Sequence, residues 1–334
     1  MMTIERFAEE MKDRIEKGMG EGYGAKVEQI TKNNGVEMTG IRVWKKGMNV
    51  SPTIYVDNFY REVERGMSLD EAGERAVATL KKGMPKDDLD LGFFKDYEGV
   101  KDRICFRLVN ARENREMLEQ VPHEMYLDLA TVYFCPIEDK EIGQGTILIT
   151  NQHMEMWGVT KDDLKEAAVR NTQRLYPPSC VSMDEILAEM MGFVQKQEHG
   201  ELPSCEADPL NPGGMYVLTN RERTFGAAVL LYEDYLQRVS EAMESDLYVI
   251  PSSIHECMIL SKTDEGNADD LARIIKEVNP TIDPREVLSD SLYQYDRETQ
   301  SLSICRTVEQ CEEQGEEQGE EQGNGQSSEM SMTL

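Results

Sequence analysis

Leu247-Tyr248-Val249-Ile250-Pro251-Ser252-Ser253-Ile254-His255-Glu256-Cys257-Met258-Ile259-Leu260 is the stretch on which the reading of the fold turns. Its two apolar runs, Leu247–Ile250 and Cys257–Leu260, read as strands joined by the polar link Pro251–Glu256. On its C-terminal side, Leu271, Ile274, Ile275 and Val278 recur at helical spacing. Asn267 is placed to cap that helix and Asn279-Pro280 to halt it. Leu292–Tyr295 and Ser301–Ile304 then read as a second hairpin around Asp296–Gln300.

On its N-terminal side lies a helix, Leu231–Met243, that turns Tyr235, Leu236 and Val239 inward, preceded by a strand at Met215–Thr219. Glu198–Gly214, with prolines and Gly213-Gly214, is a loop. Ser182 with Glu185 starts a helix whose inward side chains are Ile186, Leu187, Met190, Met191 and Val194. Thr160 with Asp163 starts another, on Leu164, Ala167, Ala168 and Leu175. Gly145–Thr150 is a strand. Tyr126–Phe134 is apolar on both alternating faces except for Asp128, as in a strand covered on both sides. Cys105–Val109 is a strand, with Asn110 and Glu113 capping a short helix after it.

The first third opens with an amphipathic helix, Thr3–Lys17, on Ile4, Phe7, Ala8, Met11 and Ile15. Gly18, Gly20, Gly22 and Gly24 break it; a dinucleotide fingerprint would have to follow a strand and open a helix, and here the order is reversed. Ala25–Thr31 and Val36–Trp44 flank Asn33-Asn34-Gly35, whose Asn-Gly supplies the positive φ angles of a tight hairpin. Ser51–Val56 leads into a polar helical stretch, and Ser68 with Glu71 caps a helix running to Lys82, stopped at Gly83-Met84-Pro85. Hairpins mixed with helices of varied spacing predict an α+β fold with mixed or antiparallel sheets rather than a doubly wound one. The expected organisation is a helix, hairpin and helix subdomain over 1–88, a main α+β domain over 89–307, and a tail over 308–334.

The tail repeats Glu-Glu-Gln-Gly and offers few large apolar side chains, so disorder is expected there. Over all 334 residues the net charge is −28, and eight of the acids lie in Val308–Leu334, leaving −20 on Met1–Thr307. Such a body disfavours nucleic acid and anionic membranes, because both are bound through Lys and Arg. The N-terminal charges leave no uninterrupted apolar stretch for a secretory signal, and no run is long enough for a membrane helix. Seven scattered cysteines without a CxxC pair suggest free thiols in a reducing cytoplasm.

For chemistry, His255-Glu256 begins like a zincin helix, but position 259 is Ile259 instead of the second histidine. A metal site could only be assembled in space from His123, His153 or His255, and none is expected. No phosphate loop, kinase loop or nucleophile elbow is present, so no cofactor is expected either. The sharpest cluster is Ser252, Ser253, His255 and Glu256, which supplies the residue types of a hydroxyl nucleophile, its base and an orienting acid. The plainer reading is a polar turn whose Ser and Glu side chains satisfy backbone N–H groups. Asn49, Asn220, Ser253 and His255 are the candidates for ligand contact, and Asn49, Asn151, Asn171 and Asn220 otherwise read as caps and turn closers.

Asn33-Asn34-Gly35-Val36, Pro52-Thr53-Ile54-Tyr55, Lys101-Asp102-Arg103-Ile104, Met156-Trp157-Gly158-Val159, Tyr216–Asn220 with Gly226-Ala227-Ala228, and Leu247–Glu256 occur in this order. Together they resemble the uncharacterised bacterial domain-of-unknown-function family 5688, found mainly in Gram-positive gut anaerobes, over residues 3–305. The resemblance implies a bacterial cytoplasmic protein and assigns no activity, cofactor or catalytic residue. Three functions are therefore weighed. The first is a non-enzymatic intracellular protein that binds a protein or small-molecule partner. The second is a hydrolase using His255 with Ser252 or Ser253, which needs hydroxyl and imidazole about 2.6–3.2 Å apart. The third is an acidic mimic of nucleic acid, which needs acids set in phosphate-like rows.

Overall fold

The computed structural model describes residues 2–85, 87–139, 143–192, 213–262 and 268–307. The expected cap at Asn267, most of the loop Glu198–Gly214 and the tail 308–334 lie outside the described residues. The fold is α+β with antiparallel sheets, as the mixture of hairpins and helices predicts. Two compact units are present, one of Met1–Cys105, Glu113–His123 and Val132–Asn171, the other of Phe106–Arg112, Glu124–Thr131 and Thr172–Leu334.

The chain begins with α1 (Ile4–Met19), capped by the Thr3 hydroxyl, which accepts from the Arg6 N–H. Phe7, Ala8, Met11, Ile15 and Met19 form its buried stripe. Burying each large member removes apolar surface from water at about 1.5–3 kcal/mol. β1 (Tyr23–Thr31) and β2 (Glu37–Lys45) pair antiparallel from Tyr23↔Lys45 to Thr31↔Glu37, with β3 (Thr53–Tyr55) on the far side of β2. The turn between β1 and β2 takes left-handed backbone at Asn34 (φ 60°) and Gly35 (φ 65°), as its Asn-Gly predicts. α2 (Asp57–Glu64) and α3 (Leu69–Gly83) follow, and the Ser68 hydroxyl caps α3 by accepting from the Glu71 N–H. Val43, Ile41, Val56, Ala72, Ala76 and Leu80 close this core against α1.

After α4 (Tyr97–Val100) come β4 (Cys105–Asn110), α5 (Arg115–Leu118), β5 (His123–Tyr126), β6 (Leu129–Asp139) and β7 (Gly143–Leu148). Their sheet runs in the order β4-β6-β5, with β7 on β6. Asn110 ends β4 and its amide donates to the Leu288 carbonyl (3.0 Å), while Asn114 stands at the start of α5. Tyr126–Phe134 is not one strand, because the chain reverses at Leu127 (φ 56°) and Asp128, where a polar residue can stay at a turn.

Thr150 closes no strand but caps α6 (Asn151–Trp157) in a reciprocal box with His153. α7 (Lys161–Leu175) buries Leu164, Ala167 and Ala168, and continues the same face with Asn171, whose amide donates to the Lys101 and Ile104 carbonyls.

The largest sheet has the order β13-β12-β10-β11-β9-β8 and is antiparallel throughout. Its strands are β8 (Pro178–Ser182), β9 (Met215–Asn220), β10 (Leu247–Ser253), β11 (Glu256–Ser261), β12 (Leu292–Asp296) and β13 (Ser301–Arg306). α8 (Met183–Met190) opens on the Ser182–Glu185 box, yet Leu187 and Met191 are exposed rather than inward. The expected helix Leu231–Met243 is shorter: a buried 3-10 segment covers Gly226–Leu231, Asp234 turns left-handed (φ 56°), and α9 (Tyr235–Ala242) starts after it. In α10 (Ala268–Val278) Ala272 and Ile275 are buried while Ile274 and Val278 are exposed. The buried stripe passes through Ala272, Ile275 and the buried Asn279, a face rotated from the one the apolar residues suggested.

Candidate functional site

β10 and β11 form the predicted hairpin, from Leu247↔Ser261 to Ser253↔Glu256, with an irregular register between Ile250 and Ser253. Past Ile250 the strand takes new partners. Ile254 N–H donates to the Glu286 carbonyl (2.8 Å), Leu288 N–H to the Ser252 carbonyl (3.2 Å) and Ser289 N–H to the Pro251 carbonyl (3.0 Å). The Ser253 hydroxyl accepts from the His255 N–H at 3.1 Å. The link is therefore held on both sides by backbone and by its own serine.

Above it the turn Asn220–Gly226 is fixed by side chains. The Asn220 amide donates to the Thr224 carbonyl (2.7 Å), and its oxygen accepts from the Thr224 N–H (3.2 Å). Arg223 (φ 49°) and Phe225 (φ 53°) both hold left-handed backbone, which disfavours side chains other than glycine by about 1–2 kcal/mol each. His255 supports the strained turn: its Nδ1 accepts from the Phe225 N–H (3.2 Å) and its ring stacks on the Phe225 ring, centroids 5.8 Å apart at 13°. With Nδ1 accepting, the ring proton lies on Nε2, which faces Glu286 Oε1 at 3.8 Å. The His255 carbonyl accepts from the Thr219 hydroxyl (2.8 Å). Gly226 is required at the crossing, since a Cβ there would lie 2.1 Å from Thr219 Oγ1 and 2.4 Å from the His255 carbonyl oxygen.

Of the predicted candidates, Asn220, Ser253 and His255 thus come together. Neither serine hydroxyl bonds a ring nitrogen of His255: Ser253 serves the backbone, and Ser252, half-buried, offers its carbonyl to Leu288. Glu256 is exposed at the start of β11. Asn49 lies elsewhere and closes a loop, accepting from the Leu89 N–H and donating to the Leu89 carbonyl while Asp88 accepts from the Asn49 N–H. His123 and His153 both serve local backbone, and burial lowers the pKa of His153. Among the described residues no three His, Cys, Asp or Glu side chains are grouped as metal ligands. Cys105, Cys135, Cys180 and Cys257 are buried thiols outside any disulfide, and burial pushes the Cys135 thiol up to about 11.

Two further residues matter that the sequence reading did not single out. Arg107, in the middle of β4, lays its guanidinium over the Phe225 ring, 4.6 Å from the centroid. Its Nε is out of solvent with no acceptor, and burial lowers its pKa to about 10. No carboxylate pairs with it among the described residues. The second residue is Asp128. Its Oδ2 accepts from the Ser289 (2.6 Å) and Ser291 (2.9 Å) hydroxyls and its Oδ1 from the buried Tyr293 hydroxyl. Burial, then the Asp128 charge, raises the Tyr293 pKa, so the phenol stays a donor. Asp128 thereby fastens the segment entering β12 to the turn between β5 and β6. The signal available in sequence was the same for both residues: one charged side chain inside an apolar run.

Fold and site define an acidic α+β chain whose largest antiparallel sheet carries a strained, histidine-supported aromatic turn. The chain belongs to the family of unknown function DUF5688, whose model matches residues 4–297. No curated protein and no solved structure matches it.

Proposed function

We propose that this chain is a cytoplasmic, non-enzymatic binding protein that holds a small-molecule partner at the ledge formed by Phe225, His255 and Asn220. The observation that carries this reading is the backbone strain at Arg223 and Phe225, held in place by Asn220, Thr219 and His255. Strain of this kind persists only where the surroundings over-determine it, and it concentrates where a protein presents a side chain to a partner. The His255 imidazole is occupied in supporting that turn, which suits an orienting role better than proton transfer to a serine.

The ledge and the hydrolase chemistry make opposite forecasts. Incubation with a fluorophosphonate probe should leave Ser252 and Ser253 unlabelled, and a thermal-shift screen of small metabolites should find a stabilising compound whose affinity falls about 10-fold in Phe225→Ala. Labelling of either serine that disappears in His255→Ala would instead establish the hydrolase.

A further inference from the structure

Resting on that binding reading, we propose that Arg107 anchors an oxyanion site, its guanidinium receiving the carboxylate or phosphate group of a small organic ligand on the Phe225 ring. A guanidinium placed with its Nε out of water and no acceptor forfeits hydration without return. In this chain the omission is conspicuous, because Asp and Glu number 64 against 36 Lys and Arg. Arg14, Arg42, Arg75, Arg223, Arg285 and Arg306 each meet a carboxylate. Arg107 instead meets an aromatic face.

A guanidinium carried on a ring face can offer its two Nη groups as paired N–H donors, the geometry that matches a carboxylate or phosphate with two parallel hydrogen bonds. Phe225 carries this cation on a ring that His255 also stacks against, so the strained turn sets the position of the cation as well. An aromatic carboxylate satisfies both features, its charge on Arg107 and its ring along the Phe225–His255 stack. Glu286, facing His255 Nε2, adds a negative charge on the same ledge and disfavours a phosphate dianion relative to a carboxylate monoanion.

The test titrates the full chain with sodium benzoate, sodium acetate and inorganic phosphate, with sodium chloride matching ionic strength and neutral benzamide as control. Calorimetry and melting temperature are read together. Wild type should bind benzoate saturably and more tightly than acetate, and should ignore benzamide. Arg107→Lys, which keeps the charge and loses the fork, should weaken benzoate about 10-fold. Arg107→Met should abolish the response while melting no lower than wild type without anion, since it removes an unpaired buried charge. Should Arg107→Met fold poorly, Phe225→Leu tests the same stack and should also weaken benzoate. Saturable binding of phosphate alone, lost in Arg107→Met, would keep the anchor and identify the ligands as phosphate esters. Absence of a saturable response to all three anions in wild type overturns the proposal. So does an undiminished response in Arg107→Met, and that result would leave the binding reading standing, whereas serine labelling would remove the binding reading by itself.

Discussion

Arg107 and Asp128 hold similar places in the sequence and opposite places in the chemistry. Each interrupts an apolar run, Arg107 in Cys105–Val109 and Asp128 in Tyr126–Phe134. Asp128 gathers three hydroxyls, whereas Arg107 has no carboxylate among the described residues. Asp128→Asn converts one accepting oxygen to a donor and leaves hydroxyls facing it without their acceptor. A loss of about 1–3 kcal/mol is expected, read by urea denaturation. A change within 0.5 kcal/mol, the range of an ordinary surface substitution of about that size, would show that the network contributes little. Neither role was legible beforehand. The interruption is visible in the sequence, but whether a buried charge finds partners depends on segments more than 100 positions away, Phe225 for Arg107 and Ser289–Tyr293 for Asp128.

At the scale of elements, short-range rules carried well where the cause is short-range. Ser68 and Ser182 cap the helices their spacing predicts, and Asn34-Gly35 makes the hairpin turn its positive φ angles allow. The rules failed where a tertiary partner decides. Tyr126–Phe134 breaks at Leu127 and Asp128, whose carboxylate is held by hydroxyls of Ser289, Ser291 and Tyr293, and the run after Phe225 is a 3-10 segment that opens on Gly226, packed closely against Thr219 and His255. Of the candidate site, the convergence of Asn220, Ser253 and His255 was legible, because Ser253 and His255 share one hairpin link. Phe225 was not, since nothing in its own neighbourhood announces a left-handed backbone. Gly226→Ala should cost at least about 1–3 kcal/mol, because Thr219 Oγ1, the His255 carbonyl and the Asn220 N–H leave no room to yield. Gly83→Ala, at the end of α3 with no neighbour in the way, should be neutral or stabilising by up to about 1 kcal/mol. Equal stability of the two variants in thermal unfolding would refute the close crossing.

At the scale of the whole molecule, a net charge of −28 repels the polyanions that a basic surface would collect, and no described helix is long and apolar enough to cross a membrane. The same charge sharpens the case for a selective anion site, because an anion can be held only where a local cation outweighs the general field. The central claim is that Arg107 is kept without a carboxylate so that a ligand can supply one. A crystal structure of the full chain grown with benzoate tests it most directly. The account predicts a carboxylate in two-point contact with the Arg107 guanidinium, its ring beside Phe225 and His255. Arg107 paired with an acid of its own chain, with no benzoate at Phe225, would contradict it.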